Sequence, residues 1–300
     1  MSKWLITGAN GNLGRRLLAH LLARDEVVAV VRSDKAANTI REIDLAPELK
    51  ARLQVTVLSY TDVQALKAAA DGCDYAVHLV GILKEGGGAT YYQAHEASTE
   101  ALVAALQGTT VKHISYLSIV GSKPEASNAC LASKGAAEQI LLSAEIPGCV
   151  LRVPMVLGEG DYASFALRKR AQGGTSFSFR AASLEQPIYA GDVVTGIVQA
   201  ADLGVTGALD LAGPSQVTRR ELTERAASVL GRQAKVISLP MGLGYTLAYL
   251  LERLSGNPPF TVAMLGVLDH DDAVDAGEAL GALQMTELTP LDEALAKVLT

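Results

Sequence analysis

At 300 residues, with 49% of them hydrophobic and 19% charged, the chain can bury a full doubly wound domain and leave about a hundred residues for a smaller lobe. A formal net charge of −6 supplies no basic surface to neutralise a phosphate backbone, which argues against a nucleic-acid partner. Its three cysteines, Cys73, Cys130 and Cys149, form neither an even disulfide framework nor a metal-ligand spacing, so a reducing, cytoplasmic compartment and no metal site are expected.

The opening MSKWLITG holds only a short apolar stretch that a glycine ends, and it reads as a strand, not a signal peptide. Trp4–Ile6 is followed by TGANGNLG at Thr7–Gly14 and then by a helix-like stretch, Arg15–Arg24. A glycine-rich turn between a buried strand and a helix lets the backbone approach a pyrophosphate, whose charge is stabilised by free N–H groups at the helix N-terminus. Gly8 is assigned to the tight turn, Gly11 to the close approach and Gly14 to packing of helix on strand. The G-x-x-G-x-x-G spacing resembles that of the short-chain dehydrogenase/reductases, not the G-x-G-x-x-G of other dinucleotide-binding proteins.

The second strand, Val27–Val31, is a continuous apolar run of the kind found in parallel strands covered on both faces, and it ends at Arg32 and Ser33. A carboxylate there would hold the ribose hydroxyls of NAD, whereas arginine suits a 2′-phosphate, so the reading is NADP(H). Arg15 or Arg16 could add a second positive charge. The competing reading makes Arg32 a solvated residue and gives the ribose to Asp34.

Further strand-like runs at Leu53–Leu58, Tyr75–Val80, His113–Leu117 and Val150–Val153 alternate with helical spacing, as at Val63–Ala70 and Thr99–Leu106. This predicts an α/β fold with a doubly wound, Rossmann-like parallel sheet and right-handed crossovers. From Gly158 the chain loosens, with glycine and polar clusters at Gly173–Ser178 and Gly204–Gly207. The expected division is a cofactor-binding core over 1–157 and a mixed region over 158–300 that completes the core and forms a smaller lobe. Gln186–Tyr189 reads as strand-like and leads through Asp192, Val193 and Val194 into a helix. Gly213–Pro214 precedes Thr218, a good N-cap for a helix over Arg219–Leu230. The longest uncharged run, Val236–Leu251, contains Pro240, Gly242 and Gly244 and falls short of the roughly 20 apolar residues of a membrane span. Across Val236–Leu254, Tyr245, Tyr249 and Leu250 are spaced for one helix face, which would serve as a substrate roof, a partner-docking face or a membrane-surface contact.

Taken together, VHLVGIL (77–83), HISYLSIVG (113–121), Ser133–Lys134 with Glu138 four residues on, and LRVPMVLGEGD (151–161) carry a resemblance. So do LDLAGPSQVTRREL (209–222), Leu230–Gly231 and SLP (238–240). Over essentially its whole length the chain resembles atypical short-chain dehydrogenase/reductases related to the Rossmann-type accessory subunit of respiratory complex I, and the NAD-dependent epimerase/dehydratase-like proteins. The resemblance implies cofactor contacts from Gly8, Asn10, Gly11, Asn12, Leu13 and Gly14, then Arg32 and Ser33, then Leu79, Val80 and Gly81, and finally Lys134, Pro154 and Val156.

It also implies acid–base assisted hydride transfer by a serine, a tyrosine and a lysine four residues after the tyrosine, a spacing that sets phenol and ammonium side by side. Ser118 and Lys134 match the serine and lysine, but the tyrosine position is Cys130, whose sulfur lies nearer the backbone than a phenol oxygen would. Cys130 is read in three ways: as a packing residue after loss of the proton donor, as a bystander to another donor (Lys134, Tyr116 or a water), or as a thiol activated by the ammonium. For Ser118, local backbone bonding competes with a catalytic role. Where family members often place an adenine-binding aspartate after the third strand, this chain has Ser59, with Asp62 left to cap the next helix. His78 reads as a core residue, and His95 is a candidate by its chemistry alone.

Two functions follow. One is an NADPH-dependent reductase of a small apolar carbonyl, enone or quinone-like molecule. The other is a non-catalytic NADPH-binding protein of assembly, structural or sensor type with a protein partner.

Overall fold

A computed structural model of the chain describes residues 1–255 and 258–300. Strands β1 (Lys3–Thr7), β2 (Glu26–Val31), β3 (Leu53–Val57), β4 (Tyr75–His78), β5 (His113–Ile119) and β6 (Gly148–Val153) join Gly207–Asp210 in a seven-stranded sheet. Its order is Gly207–Asp210, β6, β5, β4, β1, β2, β3, and every neighbouring pair is parallel. Parallel strands need crossovers, which the chain supplies as α1 (Asn12–Leu22), α2 (Asp34–Arg41), α3 (Pro47–Lys50), α4 (Val63–Ala69), α5 (Ser98–Leu106) and α6 (Ala129–Leu142). Helices on both faces explain why Trp4, Leu5 and Ile6 are fully buried in sequence and why Val27–Val31 is unbroken by a polar residue. Alternate residues feed different layers: Trp4, Ile6, Ala29 and Val31 pack with α1, whereas Leu5, Val28 and Val30 pack with α4 and α5.

The strand order reverses between β1 and β4, which opens a crevice at their C-terminal ends. The glycine turn after β1 and the Leu79–Val80 segment after β4 meet there.

Past residue 157 the structure differs from the sequence reading in four places. Gly207–Asp210 is a strand on β6, with Gly207 at φ 97 turning the chain into it. Gly174–Phe179 is a strand paired with Ala234–Leu239, so the loose glycine cluster is the start of a small second sheet. The apolar run from Val236 is split at Pro240 into the end of that strand and a helix, Met241–Leu254. On this helix Tyr245 is half-buried, donating to Asp269 Oδ2 at 2.9 Å, and Tyr249, one turn on along the same flank, is exposed, whereas Leu250 lies on a different face. The exposed stripe is instead Leu243, Leu247, Leu250 and Leu254. Thr218 caps Arg219–Val229 through a reciprocal capping box with Glu221. No helix among the described residues is long and apolar enough to cross a membrane.

Candidate functional site

The glycine turn is built by close approach. Gly8 sits at φ +76, and a Cβ there would lie 2.9 Å from Leu79 C and 3.1 Å from Val80 N, so this residue lets β1 and the end of β4 touch. At Gly14 a Cβ would come within 2.7 Å of Ala9 O, which fixes α1 on the turn beneath it. Gly11 differs: its Cβ would meet only Gly8 O, at 3.2 Å, and the space beyond is open. It is the N-cap of α1, with no side-chain cap and no acidic residue in the first turn. The orphan N–H groups of that turn and the positive end of the helix therefore face an open cradle, which fits a pyrophosphate.

Asn12 and Arg16 are held by the second region of the chain. Arg16 donates to Glu159 O at 2.6 Å and pairs with the Glu159 carboxylate at 2.5 Å, while Asn12 Nδ2 donates to Glu159 O at 3.5 Å. Tyr189 donates to the same carboxylate at 2.8 Å. Arg16 thus latches the turn at 158–161 onto α1 and is not free for a 2′-phosphate. Arg15 is exposed on α1. Arg32, at the end of β2, is exposed and has no carboxylate partner among the described residues. Ser33 is the N-cap of α2, its hydroxyl accepting from Ala36 N at 3.3 Å, and Asp34 lies in the first turn of that helix.

At the other end of the crevice lies Lys134, 5% exposed, on α6. Its ammonium donates to Leu117 O at 2.9 Å and stands 4.5 Å from the centre of the Tyr116 ring. Gly81 leaves room for it: a Cβ there would be 3.0 Å from Lys134 Nζ and 3.6 Å from His95 Nε2. Burial brings the Lys134 pKa down to about 8, while Cys130 and Glu138 push the other way. His95 arrives from a π-helical turn, Tyr92–Ala97, and its Nε2 accepts from Ile82 N at 3.1 Å. Burial, then the nearby ammonium, lowers its pKa to about 3, so the ring is neutral. No sequence period announces that turn, so His95 had only its chemistry to mark it. His78 is the core residue expected, bonded to Thr7 Oγ1 at 2.6 Å and Ser98 Oγ at 3.2 Å.

Cys130 is fully buried, its thiol 3.6 Å from Ile82 O and pushed up to about 11 by burial. The activated-thiolate reading therefore fails here, because desolvation outweighs the ammonium. Tyr116 is also buried, its hydroxyl without a partner among the described residues and its pKa raised by desolvation, which makes it a poor donor. Ser118 is 1% exposed and donates to Glu138, whose other oxygen accepts from Arg152 Nε at 2.9 Å and Nη2 at 2.6 Å. The serine points into this buried ion pair, away from open space. Glu138→Ala leaves Arg152 with only Asp210, at 3.7 Å, and takes the acceptor from the serine hydroxyl, and a loss of about 2–3 kcal/mol is expected in urea unfolding, below the full range for a buried pair because Arg152 keeps that second carboxylate and some solvent. An unchanged midpoint would remove the pair from the framework of the site.

Pro154 and Val156 follow β6, where Val156–Leu157 pairs with Ile188–Tyr189. Across the crevice Asn128 Nδ2 donates to Ala263 O at 2.8 Å and Lys84 to Pro258 O at 2.9 Å, which brings the helix Val262–Leu268 over the N-terminus of α6. The region after residue 157 thereby roofs the Cys130 end.

Known proteins resemble the chain in sequence and in fold. The profile of a family described as NAD(P)H-binding matches residues 8–178. A mitochondrial NADH dehydrogenase [ubiquinone] 1 alpha subcomplex subunit 9 from Arabidopsis thaliana is 25% identical over 283 residues, covering 89% of this chain and 67% of that protein. A 4-hydroxy-2-methyl-3-oxo-4-farnesyl-3,4-dihydroquinoline-1-oxide ketoreductase from Stigmatella aurantiaca is 26% identical, covering 83% of this chain and 79% of that protein. Among solved structures, a UDP-glucuronic acid 4-epimerase from Bacillus cereus, complexed with UDP-glucuronic acid and NAD, superposes with a TM-score of 0.73 at 19% identity over 98% of this chain and 96% of that one. The Bordetella bronchiseptica enzyme WbmH with NAD+ gives 0.72 at 18% identity over 99% and 97%. These likenesses extend the shared fold over the whole chain.

Proposed function

Because the chain belongs to the NAD(P)H-binding family, we propose that it is an NADPH-dependent reductase of an apolar ketone, enone or quinone-like molecule, with Lys134 as the proton donor. The observation that carries this reading is Lys134 itself. A buried ammonium with no carboxylate in contact among the described residues is costly, and proteins retain such groups where their chemistry is used. Of the groups around it, the Cys130 thiol and the Tyr116 phenol are held protonated by burial, and the Glu138 carboxylate is engaged by Ser118 and Arg152. Below a pKa of about 8 it holds its proton, and above it gives the proton up, the range a general acid needs.

The glycine turn would hold the pyrophosphate and Arg32 the 2′-phosphate. A reduced nicotinamide held there would supply hydride chemistry to the substrate carbon. Lys134 delivers a proton to the substrate oxygen and is recharged from solvent, while Leu117 O keeps its head in place. The ketoreductase relative acts on a farnesylated ring ketone, which supports an apolar substrate.

Binding can be tested first. Arg32 can form an ion pair with a 2′-phosphate but only a single-charge hydrogen bond with a ribose hydroxyl, so wild type is expected to prefer NADPH over NADH by roughly 1–3 kcal/mol, and Arg32→Ala to erase the preference. Equal affinities in wild type by calorimetry would reject the NADPH assignment. Cys130 favours a second reading, a cofactor-binding protein without turnover, since the position of the usual phenol is held by an inert thiol. Under it NADPH binds and is consumed no faster than in buffer.

A further inference from the structure

We propose that the helix Met241–Leu254 docks the protein on the surface of an anionic lipid bilayer, lying among the headgroups with its leucine stripe in the acyl boundary, a docking that takes its purpose from the apolar-substrate reading above. Leu243, Leu247, Leu250 and Leu254 follow one another at steps of four, three and four residues, so they stand on one line along the helix. The least exposed, Leu247, is 44% exposed and Leu254 is 83% exposed. Only Gly244 and Ala248 of this helix are buried, so it lies on the molecule instead of being woven into it.

The sheet beneath adds to the apolar ground. A Cβ on Gly244 would lie 3.1 Å from the Phe179 ring, so the helix covers the Phe179 end of the sheet formed by Gly174–Phe179 and Ala234–Leu239. Phe177 and its register partner Ile237, two residues back on the same face, are left exposed. Charge decides what covers this ground. The helix has two charged residues: Glu252 is turned to the next helix, accepting from Val262 N at 2.8 Å, and Arg253 is exposed over the Tyr249 ring. Asp269, which Tyr245 meets on the inner flank, is matched by Arg180 at 2.6 Å. Lys235 is exposed on the sheet face of Ile237. In a chain of net charge −6, the charges turned outward beside the stripe are therefore both positive. Lipid phosphates attract such cations, and acyl chains take an aliphatic stripe that offers no hydrogen-bonding group to a protein partner. A second copy would bring only like charges to the contact. Position matters as well. Glu252 and Tyr245 tie this helix to Val262–Leu268 and the residue after it, and Val262–Leu268 lies over the N-terminus of α6 at the Cys130 end of the crevice. A substrate dissolved in the bilayer meets the protein beside that end.

The test is co-flotation of the full chain with vesicles of phosphatidylcholine mixed with phosphatidylglycerol, and with vesicles of phosphatidylcholine alone. Wild type is expected to float with the mixed vesicles, more weakly with phosphatidylcholine, and less with added salt. Leu247→Glu combined with Leu250→Glu puts two charges into the stripe and should cut partitioning about tenfold or more while the circular dichroism stays that of wild type. Arg253→Gln should lower binding to the mixed vesicles about fivefold and leave phosphatidylcholine alone unaltered. Should the double variant not fold, Leu254→Glu, at the open end of the stripe, takes its place with the same expected loss. Absence of flotation by wild type, or a stripe variant that floats like wild type, overturns the proposal. Sedimentation velocity then tells whether a second copy covers the stripe, as a dimer that the double variant dissolves. Neither NADPH nor turnover enters the readout: flotation with no reductase rate keeps the docking and removes the reductase reading, and a reductase rate without flotation does the opposite.

Discussion

Gly11→Val is expected to give a folded protein that no longer binds NADPH. Gly11 has φ −63 and ψ 165, a conformation open to any residue, and its added carbon would press only on Gly8 O at 3.2 Å. The fold therefore tolerates it. The side chain would fill the space in front of the first turn of α1, where the phosphate must come within hydrogen-bond reach of the backbone. Gly14, three residues on, provides the contrast: a Cβ there would collide with Ala9 at 2.7 Å, so valine should damage the fold as well as the site. Circular dichroism reports the fold and calorimetry the binding. A Gly11→Val protein that binds like wild type would show that the cofactor lies elsewhere.

Lys134→Met is expected to raise stability at neutral pH and to abolish turnover. The ammonium has a pKa of about 8 in the folded chain against an ordinary 10.5, so between these values the unfolded chain holds a proton that the folded chain has released. Stability of the wild type therefore rises with pH across that window, and below about 8 the burial penalty is present in full, on the order of 2–4 kcal/mol. Methionine fills the space without the charge. Its advantage over wild type in urea should be greatest at neutral pH and shrink toward the upper end of the window, partly offset throughout by loss of the bond to Leu117 O. Removal of an acid–base group costs about a hundredfold or more in rate. If methionine instead destabilises equally at every pH, Lys134 is a structural donor.

The parts of the molecule legible in the sequence are those set by local rules. Six of the seven central strands show as apolar runs because parallel strands are buried on both faces, and the glycine turn shows because each of its glycines answers a separate steric demand. Gly207–Asp210 escapes because a short edge strand beginning with glycine has no such run. Gly174–Phe179 escapes because it alternates exposed and buried residues in a small sheet with one wet face. At the site, Lys134 and Cys130 are marked by their spacing on one helix, whereas the turn of Ser118 toward Glu138 and Arg152 joins three separate elements. His95 is set by where the chain goes after β4, through a π-helical turn that no sequence period marks.

Reduction by NADPH with a proton from Lys134 is read most directly as NADPH consumption against a panel of apolar ketones, enones and quinones as a function of pH. The expected rate is well above buffer for at least one of them, falls as pH rises through about 8 as Lys134 loses its proton, and is lost in Lys134→Met while NADPH still binds. A protein that binds NADPH tightly yet consumes it no faster than buffer across the panel, or whose rate is indifferent to Lys134, would contradict it.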